Sequence, residues 1–244
     1  DLHRRRHSFP TRRSSDLMLL GLAAVPLQDV QAAIDELQYA HEKLGLVGVE
    51  IGSNINGTPI GDAKFDAFYE ACVAINMPVF VHALKPAGME RLIGPSALEQ
   101  VLGYPTDVGL AAASVITGGL MQRHPQLRIA FSHGGGTLAS LLPRLTQGWK
   151  TFPALADKLK ESPAETARRL YFDALVYDAP TLRHLIQTFG VDQLMLGTDY
   201  PFNFHEPRPV GRLMEAGLDK PSQDALTFSN ALRFLGRGAS LNQT

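Results

Sequence analysis

Three ionisable residues each close a short apolar run. His82 ends Pro-Val-Phe-Val-His, His133 ends Ile-Ala-Phe-Ser-His, and Asp199 ends Leu-Met-Leu-Gly-Thr-Asp. Two imidazoles and a carboxylate are a common donor set for Zn²⁺ or another divalent metal ion. Such an ion lowers the pKa of water that it binds from about 15.7 toward ~7, which creates a reactive oxygen near neutral pH. Taken singly, a histidine at a strand end is more often a hydrogen-bonded structural residue, and an aspartate after a strand is more often a helix N-cap. Repetition at three strand ends favours the metal site. His133 also opens the run Gly134-Gly135-Gly136. Those glycines either cradle an anion with backbone N–H groups or permit a tight strand-to-helix turn, the more economical reading.

The elements that must carry these residues alternate from residue 18 onward. Leu19–Val25 reads as a short buried strand. Gln28–Leu44 has the helical apolar period, and Gly45 ends it. Leu46–Ile51, Pro78–His82, Leu127–Ser132, Leu170–Ala174 and Gln193–Gly197 read as further strands. Helices are expected over Phe65–Ile75, Asp107–Arg123, Leu138–Trp149, Thr181–Phe189, Pro207–Ala216 and Ser222–Leu235. The fourth of the strand-following helices is expected to kink or restart at Pro143, and the helix after Asp178 to use that residue as N-cap, with Pro180 in its first turn. Six βα units in one direction imply an α/β fold with a parallel sheet, either an open doubly wound sheet or a (β/α)₈ barrel. No Gly-x-Gly-x-x-Gly turn follows the first strand, which speaks against a dinucleotide fold. A barrel needs eight strands and six are counted, and the shortfall could lie before Met18. In a barrel, catalytic side chains stand at the C-terminal ends of strands, where His82, His133 and Asp199 fall.

Residues 1–17 contain five arginines, three serines and almost no apolar pattern. They resemble translated adapter sequence more than a protein element, with a disordered basic tail as the alternative, and they are set apart from the domain at 18–244. His3 and His7 are spaced like ligands on a helix, but no helical face is there to hold them. The 244 residues carry a formal net charge of −1, so composition gives no reason to expect a nucleic-acid or membrane partner. One cysteine, Cys72, excludes a disulfide framework and fits the cytoplasm. His41 and His184 read as surface helix residues, His124 as a helix-end residue, His205 and Glu206 as exposed loop residues, and Trp149 as packing or a dimer contact.

Phe-Val-His at 80–82, Ser-His-Gly-Gly-Gly at 132–136, Phe-Asp-Ala-Leu-Val-Tyr-Asp at 172–178 and Leu-Gly-Thr-Asp-Tyr-Pro-Phe at 196–202 together resemble the amidohydrolase-2 family, in particular its decarboxylases of the aminocarboxymuconate-semialdehyde type. Val-Gly-Val-Glu-Ile-Gly at 47–52 and Ile-Thr-Gly-Gly-Leu at 116–120 match as well. The resemblance implies an incomplete amidohydrolase-type TIM barrel with strands 3–8 present. It implies that His82 and Asp199 bind the metal, that His133 is the general acid/base, and that an upstream His-x-His pair completes the metal shell. It further implies that Arg144 reaches the site of a neighbouring copy in a homodimer to hold a carboxylate of a small carboxylic acid substrate. Ala83 stands where the decarboxylases carry a large aromatic residue, so the pocket floor differs; Lys85 could pair with an acidic substrate, though a solvated loop lysine is the simpler reading. Three functions stay open: a non-oxidative decarboxylase, a metal-dependent hydrolase of a lactone or amide, and an inactive fragment.

Overall fold

A computed structural model describes residues 19–86 and 88–237; the basic segment 1–17 lies outside them. The strands are β1 (Leu22–Ala24), β2 (Gly48–Gly52), β3 (Asn54–Ile55), β4 (Thr58–Pro59), β5 (Val79–His82), β6 (Ile129–Phe131), β7 (Tyr171–Asp173) and β8 (Leu194–Met195). Six of them form one sheet in the order β1-β2-β5-β6-β7-β8, and every pairing in it is parallel. Sequence neighbours are therefore spatial neighbours, as a singly wound βα chain requires.

β5, β6 and β8 are apolar except for the terminal His82 and are covered on both faces, whereas Ala24 of β1 and Glu50 of β2 are exposed. Val49, Ile51, Val79, Val81, Phe131 and Phe172 point to the helical side and join the main core. Ala130, Tyr171 and Met195 face the other way, where Phe80 and Phe234 pack on them. Phe234 ends the helix Asn230–Phe234, so that helix packs on this face of the sheet. Among the described residues no helix is long and apolar enough to cross a membrane.

Local chemistry sets the boundaries. Asp29 caps the helix Val30–Glu42 by accepting from the Ala32 amide, and Ala33, Leu37 and Ala40 bury its inner stripe. Asp178 caps the helix Ala179–Phe189 through the Thr181 amide at 2.8 Å, with Pro180 in the first turn as expected. The helix expected over Asp107–Arg123 is two helices, Tyr104–Thr117 and Leu120–Arg123. Gly119 between them has φ +72°, and a Cβ on Gly118 would sit 2.5 Å from the Gly61 carbonyl, so the break lets two backbones touch. The helix expected to kink or restart at Pro143 instead runs unbroken from Leu138 to Thr151. The sequence reading missed the hairpin β3–β4, although Asn56-Gly57 (φ +50° and +82°) is a strong two-residue turn signal. Its arms of two residues each are too short to show a period.

His124 does more than end a helix. Its Nε2 lies 3.0 Å from Asp66 Oδ1, while Arg123 Nε donates to the same carboxylate at 2.8 and 3.0 Å. Burial pushes the Asp66 carboxyl up, but the hydrogen bonds from Arg123 and His124 outweigh it and hold it below the usual range. A depressed carboxyl stabilises the fold above its unfolded value, ~3.9, and that contribution is lost as pH falls through the lower folded value. Asp66→Asn is expected to cost about 1–3 kcal/mol at neutral pH, with the difference from the parent shrinking in acid. Matched thermal melts at pH 7 and pH 3.5 check this; an unchanged melting temperature at pH 7 contradicts it.

Candidate metal centre

His82, His133 and Asp199 converge. One ligand atom from each lies within 4.8 Å of the others. Each follows directly from where its strand ends: His82 is the last residue of β5, His133 lies two beyond β6, and Asp199 four beyond β8. His82 Nδ1 is 3.0 Å from the Ala83 carbonyl and donates to it. That bond fixes the tautomer and leaves Nε2 free to ligate. Nε2 in turn is 3.9 Å from Asp199 Oδ1, too long for a hydrogen bond. Two donors each about 2.0–2.2 Å from one ion stand about 3.4 Å apart at a tetrahedral angle and at most ~4.4 Å apart, so a small approach brings this pair onto one cation. The His82 and His133 rings meet edge to face, centroids 5.0 Å apart. Donor types and spacing therefore fit a divalent ion.

The backbone around the cluster is held in costly conformations. Lys85, His133, Tyr177 and Asp199 have φ between +51° and +61°. For residues that are neither glycine nor asparagine this costs about 1–3 kcal/mol each, and all four lie just beyond the C-terminal ends of sheet strands. The glycines after His133 allow a tight turn, as the simpler sequence reading has it. A Cβ on Gly136 would fall 1.8 Å from the Pro105 carbonyl, and one on Gly134 2.6 Å from Leu185 and Val176. The turn also aims one amide at an anion, but an internal one: Gly134 N–H donates to Asp173 Oδ1 at 2.8 Å.

Asp173 is the residue that the sequence reading passed over. It is buried at the end of β7 and also accepts from the Leu175 amide at 3.1 Å. Burial pushes its carboxyl up, against the pull of His133 and the two amides. Burial pushes the His133 imidazole down, while Asp173 pulls it back up. The two share one buried electrostatic unit. Gly197 makes room for it, since a Cβ there would stand 2.8 Å from Asp173 Cβ. Gly197→Val is expected to lower the melting temperature, at a cost of about 1–3 kcal/mol from overpacking; a neutral effect in a thermal melt contradicts the tight packing.

Glu206, expected as an exposed loop residue, is 6% exposed. Its amide donates to the Thr198 carbonyl at 2.9 Å, which closes the loop that begins at Asp199. Its carboxylate accepts from the Arg208 amide at 2.9 Å and from Arg212 Nε and Nη2 at 3.1 and 3.0 Å. Burial raises this carboxyl, and those donors more than offset it. Glu206→Ala keeps the backbone bond to Thr198 but removes the carboxylate that pairs with Arg212, and is expected to lower the melting temperature at a cost of about 1–3 kcal/mol. An unchanged melting temperature would contradict the buried pairing.

In front of the cluster lies a pocket of about 520 Å³, walled by Tyr104, Leu175, Tyr177, Phe202 and Phe204. The Tyr104 ring stands edge to face on His82 at 6.1 Å. A wider groove of about 750 Å³ opens on the far side of His82, along β1, β2 and the β3–β4 turn, and Lys85 belongs to it. Arg144 is exposed on the helix Leu138–Thr151 and does not line the pocket of its own chain. Trp149 donates to the Leu159 carbonyl at 3.3 Å, a packing contact within the chain. His41 and His184 are on helix surfaces, as expected.

A family model described as "Amidohydrolase" matches residues 12–237. The chain belongs to that family. Over 221 residues it is 34% identical to 2-amino-3-carboxymuconate-6-semialdehyde decarboxylase of Dictyostelium discoideum, an alignment covering 89% of this chain and 61% of that protein. Among solved structures, 5-carboxyvanillate decarboxylase from Sphingomonas paucimobilis superposes with a TM-score of 0.79 at 25% identity, over 89% of this chain and 66% of that one. Dihydroxybenzoic acid decarboxylase from a Polaromonas species, with bound manganese and an inhibitor, superposes with a TM-score of 0.78 at 20% identity, over 92% and 70%, a likeness of fold alone. The chain thus spans 61% and 66% of the first two, less than two thirds of either.

Proposed function

We propose that this protein is a metal-dependent, non-oxidative decarboxylase of a carboxylated aromatic or unsaturated acid. The observation that carries the reading is the meeting of His82, His133 and Asp199 within 4.8 Å at the mouth of an aromatic pocket. The names of the relatives support it, since the family members described above are decarboxylases of such acids. His82 Nε2 and the Asp199 carboxylate would hold the ion, Zn²⁺ or another divalent metal; the Polaromonas relative is described with manganese. When bound, the ion would supply Lewis-acid polarisation of the substrate's oxygen donors. His133 is the general acid. As the C–C bond to the carboxylate breaks, the electron pair stays on the substrate carbon, and His133 delivers the proton that replaces CO₂. Asp173 orients His133 through the turn it anchors and stabilises its protonated form. Tyr104 and Leu175 wall the reacting centre off from water.

The reading extends to architecture. β1 and β8 stand at the two ends of a six-stranded parallel sheet, and an amidohydrolase-type barrel has eight strands. We read the sheet as barrel strands 3–8, with strands 1 and 2 and their His-x-His pair upstream. Full metal affinity and turnover then require that segment. Arg144 is exposed on an outer helix, so the site that it could serve is that of a neighbouring copy, which favours a homodimer. The buried Cys72 is in keeping with a reducing cytoplasm.

The test is product analysis. Metal-loaded protein, with and without an N-terminal extension restoring the first two βα units, is incubated with hydroxybenzoates, an aminomuconate-type acid and a lactone panel. The extended form is expected to release CO₂ from an acid and to leave the lactones intact. Lactone opening without CO₂ release overturns the reading in favour of a hydrolase.

A further inference from the structure

A chain of hydrogen bonds runs back from His82 into the protein, and its role rests on the metal-site reading above. His82 Nδ1 donates to the Ala83 carbonyl at 3.0 Å. The N–H of that same peptide unit, from Leu84, donates to Ser53 Oγ at 3.4 Å. Ser53 is buried just beyond β2 and gives its own proton to Asp107 Oδ2. Asn54 Nδ2 donates to the same Oδ2 at 3.1 Å and to the Lys85 carbonyl at 3.4 Å, so the loop after His82 is gripped a second time two residues further on. Asp107 itself is buried in the first turn of the helix Tyr104–Thr117. That helix end also meets the turn that carries His133. Its Pro105 carbonyl accepts from the Thr137 amide at 3.2 Å, and a Cβ on Gly109 would stand 2.1 Å from Thr137 Oγ1.

Every proton in the chain points toward Asp107: imidazole to carbonyl, amide to hydroxyl, hydroxyl to carboxyl. Ser53 has one proton to give, so with that proton on Asp107 it meets the Leu84 amide with a lone pair. Hydrogen bonds in series polarise one another. A group that accepts the second N–H of a ligating histidine fixes the ring and strengthens its other nitrogen as a ligand. Here a backbone carbonyl takes that place, and the carboxyl stands behind it. We infer that Asp107 is a positioning residue for His82, acting through Ser53 and the Ala83–Leu84 peptide to keep Nε2 aimed at the metal.

Nitrogen NMR of the histidine rings in the present chain, at pH about 9 where an imidazole is ordinarily neutral, reads the tautomer of His82. The parent is expected to carry the proton on Nδ1. Ser53→Ala, which deletes one buried hydroxyl, and Asp107→Asn are each expected to move a measurable fraction of it to Nε2. Ser53→Ala decides alone if Asp107→Asn does not fold. In the protein extended by the first two βα units, the same substitutions are expected to lower Zn²⁺ affinity by about tenfold, the lower end for loss of a ligand's supporting contacts. Val115→Ala, buried further along the same helix, is the control. It is expected to lower the melting temperature while tautomer and affinity stay at parental values. Parental tautomer and affinity in the Ser53 and Asp107 variants overturn the inference. Equal changes in Val115→Ala overturn it too, since the effect would then be general loosening. Failure of the extended parent to bind Zn²⁺ overturns the metal reading instead, and the tautomer of His82 then still decides whether Asp107 positions it.

Discussion

In the protein extended by the first two βα units, Asp199→Asn is expected to abolish stoichiometric divalent-metal binding at micromolar concentrations while leaving the melting temperature of the metal-free protein nearly unchanged. Asparagine is the informative substitution because it keeps the shape of the side chain and tolerates the left-handed backbone at this position, φ +60°. The negative charge is lost, and one ligating oxygen becomes an NH₂ donor. Loss of a supporting contact typically costs 10–100-fold in metal affinity, and loss of a direct carboxylate ligand is expected to cost at least about 100-fold. Competition against a chromogenic chelator gives the number. Retention of metal at parental affinity would mean that the 3.9 Å approach of His82 and Asp199 is an ordinary polar contact.

The second large effect separates chemistry from metal binding. In the same extended protein, His133→Asn, again compatible with its backbone (φ +55°), is expected to keep the metal but lower the rate of CO₂ release by about 10²–10⁴-fold, the usual worth of a positioned general acid. Substrate binding should change little, because the pocket walls stay in place. Single-turnover CO₂ release on metal-replete protein separates the two effects. Full activity with metal bound would remove His133 from the reaction and favour a hydrolase in which the metal alone activates water. Loss of both metal and activity would make His133 a third ligand.

What the sequence made legible and what it hid follow from range. The three site residues were readable because each terminates an apolar run, and the parallel order of strands because the βα alternation is regular. Asp29 and Asp178 were readable as local features, since a cap and its target lie three residues apart. Asp173 was not. It sits inside a strand-like run, and its partner His133 is forty residues away, brought close only when β6 and β7 pair. Glu206 looked like a loop carboxylate because it stands in the run His205-Glu206-Pro207-Arg208-Pro209, which carries neither a helical nor a strand period. Its burial comes from Arg212 folding back from the next helix. The pocket walls were hidden for the same reason: Tyr104 opens a helix, Phe204 lies in the loop after β8, and they meet His82 and Tyr177 only in three dimensions. The length of a helix was also harder to read than its existence. Gly118 and Gly119 divide one expected helix, where Gly61 leaves no room for a side chain.

A metal held between β5 and β8 beside His133 is tested most directly by anomalous diffraction at the manganese or zinc absorption edge, from crystals grown with that metal. A peak is expected about 2.0–2.2 Å from both His82 Nε2 and an Asp199 carboxylate oxygen, with the His133 ring beside it, and is expected to disappear in Asp199→Asn. A metal-replete crystal whose peaks lie only elsewhere on the chain would mean that these residues do not form a metal site.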